Sequence, residues 1–335
     1  MKQQFKNILV VRTDRMGDMI LTIPAMRALK ERFPQSRLSV WVSQSTRDLV
    51  DGLPFIDEII VQDLYRGWRG YLTLISTLRR KKFDLVIVYH TKQKTNMACF
   101  LAGIPVRLGY LNKKCGFLLT YPVKDERQLG IKHELDYCLD LLRPLGIHHA
   151  DPRLEVPFNS AAEAWARDFV AALSGAGPLV ALHPDASCST RHWPLNSFAE
   201  VSKRLAAECN ARVVIVGGPT TKEFAKQIPG QDLSGQFTLA QLVAFLKHCS
   251  LLISNDSGPV HIAAAVGTPV ISLFLRRQPG INPERWRPLS DKAVLLLNKP
   301  GEEIMVGPDN QVLSGRYDSI TPEEVIVSAK KLLAR

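Results

Sequence analysis

Short apolar runs alternate along the chain with longer stretches in which apolar residues return every three to four positions. This is the pattern of strands and amphipathic helices in an α/β fold. In the first half it predicts strands from Ile8 to Val11, Leu38 to Val42, Glu58 to Val61 and Leu85 to Tyr89, with helices near 20–33, 69–82, 93–102 and 132–145. In the second half it predicts strands from Leu179 to His183, Arg212 to Val216, Leu251 to Ser254, Pro269 to Phe274 and Ala293 to Leu296, with helices near 196–209, 220–227, 239–248 and 259–266. Both halves read as doubly wound parallel sheets. Between them, Asp151 to Phe158 is extended and punctuated by proline, and a helix from Ala161 to Leu173 ends at Ser174-Gly175-Ala176-Gly177-Pro178. The expected organisation is therefore two domains, 1–155 and 179–320, a linker region at 156–178, and a closing helix in 321–335 capped by Thr321-Pro322-Glu323-Glu324.

One polar turn stands out against this background. Leu251 to Ser254 reads as a buried strand, Asn255-Asp256-Ser257-Gly258-Pro259-Val260-His261 as a turn opening a helix, and Gly267-Thr268-Pro269 as the break into the next strand. Asp256 and Ser257 are N-cap types, Pro259 suits the first helical turn, and Gly258 lets a ligand approach the backbone. A helix N-terminus offers backbone N–H groups and partial positive charge to an anion, so a phosphate or nucleotide fits there as well as a plain capped helix does.

Composition narrows the picture. A chain of 335 residues with 46% hydrophobic content supports two full cores and is not disordered. The apolar runs are strand-length and interrupted, and Met1 to Lys6 carries no apolar signal region, so neither export nor a membrane span is expected and the chain reads as cytoplasmic. Six cysteines lack C-x-x-C spacing, which points to reduced structural thiols rather than zinc or disulfides. The formal charge of +11 is lopsided. Residues 1–150 hold 24 Lys and Arg against 14 Asp and Glu, whereas the remainder holds 19 against 18. Basic concentrations occur at Arg79-Arg80-Lys81-Lys82, Lys113-Lys114, Lys92 with Lys94, and Arg66-Gly67-Trp68-Arg69-Gly70-Tyr71. Such surfaces attract nucleic acid, anionic lipid or acidic substrates, and charge alone does not separate these.

The first strand-to-helix turn, Arg12-Thr13-Asp14-Arg15-Met16-Gly17-Asp18, carries one glycine followed by a carboxylate. It matches neither G-x-G-x-x-G nor a P-loop, so neither cofactor motif is present. Asp18 sits at a helix start on the carboxyl edge of the sheet, where it either caps the helix or serves as a general base.

Taken together, Arg12 to Lys30, His183-Pro184 with Arg191-His192-Trp193-Pro194, and Asn255 to His261 resemble glycosyltransferase family 9, the ADP-heptose:lipopolysaccharide heptosyltransferases. The three motifs stand in the family's order and cover most of the chain. The resemblance implies a GT-B fold of two Rossmann-like domains facing across a cleft, with an anionic lipopolysaccharide acceptor on the first and ADP-heptose on the second. It implies an inverting, metal-independent transfer without a cofactor. Asp18 would be the base, and Arg191 would neutralise the leaving diphosphate in place of the family's lysine. His183, Ser187, Ser189, Thr190, Glu223, Asp256, Ser257, Gly258 and His261 would hold the donor. The acceptor contacts expected on the basic half are Arg12, Arg15, Arg66 and Arg69, and the enzyme would lie peripherally on the cytoplasmic face of the inner membrane with no nucleic-acid partner.

The chain departs from the family after the strand ending at Phe274. Leu275-Arg276-Arg277 stands where a glycine and a small hydroxyl residue are common, so Arg276 or Arg277 would contact donor phosphates or acceptor, and another donor sugar is compatible with this segment. Two alternatives belong to other classes. A nucleotide-sugar epimerase or hydrolase of similar fold would process the donor without an acceptor. A nonenzymatic basic protein docking on lipid or nucleic acid would tolerate loss of Asp18 and Arg191.

Overall fold

The computed structural model describes residues 4–113, 115–307 and 311–334. The chain divides into two compact units, Met1–Pro157 and Phe158–Arg335.

The first unit contains β1 (Asn7–Val11), α1 (Met16–Arg32), β2 (Arg37–Val42), β3 (Glu58–Val61), α2 (Gly67–Arg80), β4 (Leu85–Val88), α3 (Gln93–Leu101), β5 (Val106–Tyr110), β6 (Tyr121–Val123) and α4 (Glu134–Asp140). Its strands form one sheet in the order β3-β2-β1-β4-β5-β6, with every neighbour parallel. Leu9 and Val11 on β1, Val86 and Val88 on β4, and Trp41 on β2 turn one face of the sheet towards Leu74, Ile75 and Leu78 of α2 and Ala98 and Cys99 of α3. Helices α1 and α4 pack on one another, with Tyr110 of β5 donating from its hydroxyl to the Tyr137 carbonyl of α4 at 2.5 Å.

The second unit contains α5 (Ser160–Ala172), β7 (Leu179–His183), α6 (Leu195–Cys209), β8 (Arg212–Ile215), α7 (Lys222–Ala225), β9 (Gln231–Asp232), α8 (Leu239–Lys247), β10 (Leu251–Asn255), α9 (Gly258–Val266), β11 (Val270–Phe274), α10 (Pro283–Trp286), β12 (Ala293–Leu297) and α11 (Pro322–Leu333). The parallel sheet runs β12-β11-β10-β7-β8-β9. Counted within each unit, both sheets have the strand order 3-2-1-4-5-6 of the Rossmann fold. The order reverses between β1 and β4 in the first unit and between β7 and β10 in the second. Crevices at the carboxyl ends of those strand pairs are where such sheets bind ligands.

Several expectations shift in detail. The helix expected over 132–145 stops at Asp140 and gives way to a tight turn at Arg143–Leu145, because Pro144 has no N–H to continue the ladder. Helix α5, expected within the linker region, packs with α8 of the second unit through stacked and edge-on contacts among Trp165, Phe169, Phe237 and Phe245. Strands β5, β6 and β9 are additional to those expected. The closing helix is capped as expected, with Thr321 and Glu324 exchanging bonds. Among the described residues no helix is long and apolar enough to cross a membrane. Lys114, half of one expected basic pair, lies outside the described residues.

Candidate active site

At the switch point of the first sheet, β1 ends directly into Arg12 and β4 into Tyr89. Arg12 is 1% exposed. Its Nε lies 3.1 Å from Asp14, its Nη2 donates to both Asp18 and, at 3.0 Å, Glu134, and its Nη1 donates to the Tyr89 carbonyl at 3.2 Å. Burial acts against this charge, but Asp14, Asp18 and Glu134 more than compensate and hold the guanidinium pKa well above its ordinary value. Arg12 is therefore a fixed cation that gathers three carboxylates, one of them, Glu134, wholly buried. Such a charge inside a protein is tolerated only when paired in this way.

Asp18 lies in the first turn of α1, whose N-cap residue Arg15 makes no side-chain cap. Its carboxylate is held by Arg12, and its side chain remains 17% exposed. This is an oriented carboxylate with access to solvent, which a general base requires. Beside it, Thr13 Oγ1 and His90 Nε2 are 3.0 Å apart, and Lys92 Nζ donates to the Thr13 carbonyl. Burial, with the charges of Lys92 and Arg12 behind it, pulls His90 down to about 3, so its ring is neutral at physiological pH. Arg127 also donates to the Tyr89 carbonyl, at 3.0 Å, and pairs with Asp125.

This geometry corrects one expectation. Arg12, expected to contact an acceptor, has its guanidinium directed at Asp14, Asp18, Glu134 and a carbonyl, an arrangement that holds the Asp18 carboxylate in place. Arg15 is exposed at the same edge. Arg66 and Arg69 are exposed at the start of α2, with Arg69 over the Trp68 ring at 5.2 Å.

In the second unit the switch point joins the ends of β7 and β10. His183 Nδ1 lies 3.2 Å from Ser257 Oγ and 3.3 Å from Ser254 Oγ, and the two hydroxyls are 2.9 Å apart. Burial pulls His183 down to about 4. Its imidazole is neutral and holds the turn. Asn255 ties two loops together, donating to the Pro184 carbonyl at 2.6 Å and accepting from the Trp193 N–H at 3.0 Å. Trp193 is buried, with its indole N–H on the Ile320 carbonyl. This clamp places the neighbouring Arg191, which donates to the Asp256 carbonyl at 3.2 Å and lies 3.3 Å from its carboxylate. The Arg191 side chain stays 17% exposed. Helix α9 starts at Gly258 without a side-chain cap from Ser257, whose hydroxyl faces His183 instead. An uncapped helix start beside a partly exposed arginine is suited to an anion.

Other expected donor residues are distributed unevenly. Asp256 and His261 are buried, at 5% and 2% exposure, the former within the Arg191 pair. Thr190 is buried and accepts from Arg276 at 3.3 Å, whereas Ser187 and Ser189 are exposed on the same loop. Arg276, expected to contact donor phosphates or acceptor, is 3% exposed and donates to Thr190 on that loop at 3.3 Å. Arg277 lies 3.6 Å from Glu303. Glu223 is exposed on α7 and paired with Lys226 at 2.8 Å, on a helix whose Phe224 lies against the His192 ring at 5.1 Å.

Sequence reasoning missed Glu134, Asn255 as a clamp, and Asp185. Partial burial opposes the Asp185 charge, but bonds from His192, Thr220, Thr221 and the Ala186 N–H hold it well below the usual carboxylate range. His192 is raised in turn, chiefly by Asp185. Among the described residues no group of His, Cys, Asp and Glu side chains is arranged to hold a metal ion.

A family model described as glycosyltransferase family 9 (heptosyltransferase) matches residues 71–309. The chain belongs to glycosyltransferase family 9. It is 28% identical to the lipopolysaccharide heptosyltransferase 2 of Salmonella typhimurium, an alignment covering 98% of each chain. A family 9 glycosyl transferase structure from Veillonella parvula superposes with a TM-score of 0.83 at 24% identity, covering 100% of this chain and 99% of that one. The E. coli ADP-heptose lps heptosyltransferase II structure gives 0.76 at 23% identity, covering 98% of each. The two parallel six-stranded sheets are thus those of a GT-B glycosyltransferase, and the chain is an enzyme of that class.

Proposed function

We propose that this glycosyltransferase moves heptose from ADP-heptose to an inner-core lipopolysaccharide acceptor, with inversion and without a metal ion, at the cytoplasmic face of the inner membrane. Asp18 accepts the proton of the acceptor hydroxyl as its oxygen attacks the anomeric carbon, and the bond from that carbon to the diphosphate breaks. A single base with direct displacement inverts the anomeric centre. The departing ADP is the larger demand, because negative charge grows on its phosphate oxygens as the bond breaks. Arg191, released from Asp256 towards the phosphates, and the start of α9 at Ser257-Gly258 supply the compensating positive charge, so no metal or cofactor enters the reaction so written.

The observation that carries this reading is the carboxylate of Asp18, partly exposed and held by a buried arginine at the switch point of the first sheet. A capping residue has no need of such a partner, whereas a base depends on it for direction. Arg15, Arg66 and Arg69 are the acceptor contacts in this account, Ser187, Ser189 and Thr190 line the donor loop, and His183 and His261 hold its frame. Asp18→Asn removes the proton acceptor at nearly constant shape. The expected result is a loss of turnover of about 10²-fold or more with ADP binding retained. Turnover within a few-fold of the unaltered enzyme would remove Asp18 from the chemistry.

A further inference from the structure

The charge excess of the first half is not spread around its sheet. From Leu64 to Lys124 the sequence holds twelve Lys and Arg and a single acid, Asp84. That carboxylate is committed to the backbone N–H groups of Lys6 and Asn7 at the amino edge of the sheet. The segment supplies α2, α3 and the turn at Gly116–Leu118, which are joined side by side. Tyr71 of α2 donates to the Lys94 carbonyl of α3, and Arg79 of α2 donates to the Leu101 carbonyl, both at 2.7 Å. Arg107 connects the turn, bonding the Leu118 carbonyl at 2.6 Å while its guanidinium lies 5.3 Å from the Phe100 ring. By contrast, Asp18 and Glu31 lie on α1, and Glu134, Asp136 and Asp140 on α4.

The same layer exposes large apolar side chains. Trp68 is 70% exposed, Leu72 55% and Phe117 78%, with Phe100 and Leu101 also open. Trp68 and Leu72 are one turn apart and Arg79 stands two turns beyond Leu72, so the three share a side of α2, while Leu74, Ile75 and Leu78 are buried in the core. An apolar set this large on a soluble surface marks an interaction site. Around it stand Arg69, Arg79, Arg80, Lys94 and Lys113, all exposed.

We propose that the outer face of α2, α3 and the Gly116–Leu118 turn is the surface by which this protein lies on an anionic lipid bilayer. Basic side chains attract anionic headgroups, while Trp, Leu and Phe enter the boundary between headgroup and acyl chain. A nucleic-acid duplex would satisfy the charges but leave the apolar side chains without a counterpart, so lipid is the occupant that uses both. The inference rests on the proposed lipid-linked acceptor for its setting, but its test needs neither sugar nor acceptor.

The probe is the full chain with vesicles of phosphatidylcholine alone or mixed with phosphatidylglycerol, followed by co-sedimentation. The protein should partition onto the mixed vesicles and not onto neutral ones, and added salt should weaken binding. Arg79→Gln with Arg80→Gln should lower the partition on the order of tenfold. Trp68→Ser with Phe117→Ser should lower it comparably, and Lys203→Gln with Lys331→Gln on the second unit should leave it unchanged. Without any destabilising change, brominated phosphatidylglycerol should quench tryptophan emission, and Trp68→Phe should abolish the quenching. Equal partition onto both vesicle types, or indifference to both face variants, overturns the inference. So does binding to duplex nucleic acid, with the same dependence on Arg79 and Arg80, by a protein that ignores vesicles. Heptosyl transfer to a soluble, deacylated acceptor, measured on the same variants, reports separately on the proposed reaction.

Discussion

Replacing Arg12 with methionine tests the claim that this residue organises the first unit's site rather than contacting a ligand. The change leaves Glu134 at 0% exposure without its cation, and leaves Asp14 and Asp18, which retain some solvent, repelling one another. Breaking a buried pair by removing one partner costs about 3–5 kcal/mol, against a domain stability of about 5–15 kcal/mol. With a urea dependence of about 1–3 kcal/mol per molar, the unfolding midpoint of the first unit should fall by at least roughly 1 M. Pulse proteolysis across a urea series separates the two units by fragment size and assigns the loss. Arg12→Met with Glu134→Met should recover most of the stability, because an apolar pair of similar volume replaces a buried ion pair without leaving a bare charge. Transfer should stay depressed in that double variant, since Asp18 has still lost its partner. Arg12→Lys should restore charge but not the fork that reaches Asp14, Asp18, Glu134 and the Tyr89 carbonyl together, giving intermediate stability and low turnover. A loss below about 1 kcal/mol in Arg12→Met, or a double variant no more stable than the single one, would contradict the assignment.

Arg191→Ala should weaken ADP binding, read by calorimetry, and slow transfer together, because the same charge serves the bound and the departing diphosphate; unchanged affinity and rate would place the phosphates elsewhere. His183 is neutral in the folded protein down to about 4, while its unfolded form gains a proton below about 6.5. Its contribution is therefore complete above that pH and is lost as pH falls towards 4, by about 3 kcal/mol, and His183→Gln should flatten the second unit's denaturation midpoint over this window. The apparent Michaelis constant for an anionic acceptor should rise with salt more steeply than that for the donor, as screening over about 8 Å acts on exposed Arg15, Arg66 and Arg69 more than on the sheltered Arg191; parallel rises would show that the basic half plays no part in acceptor capture.

Much of the fold was legible because strands such as Leu9 to Val11 and Leu251 to Ile253 are apolar and bounded by polar turns. Strand β5 escaped notice because Arg107 and Gly109 interrupt its apolar run, β6 because Pro122 sits in a three-residue edge strand, and β9 because two residues carry no period. The site divides along the same line. Asp18 and the turn at Asn255 to Gly258 could be named from the chain because they lie in the strand-to-helix turns after β1 and β10, where local sequence and topology coincide, whereas Arg191 is named only by the resemblance to the family motif. Glu134 stands 122 positions from Arg12, and only tertiary packing makes it the arginine's partner. The enclosure of Arg12 has the same cause: sequence gives its charge but not its burial. For Glu223 and Arg276 too, sequence position does not give burial: the first is exposed and the second enclosed.

The most direct measurement of the central claim is mass spectrometry of a heptose-deficient lipopolysaccharide acceptor incubated with ADP-heptose and the purified protein, with NMR of the product's anomeric centre. The account predicts gain of one heptosyl residue with inverted anomeric configuration, and loss of that product with Asp18→Asn. Consumption of ADP-heptose without a modified acceptor, retention of configuration, or full transfer by Asp18→Asn would contradict it.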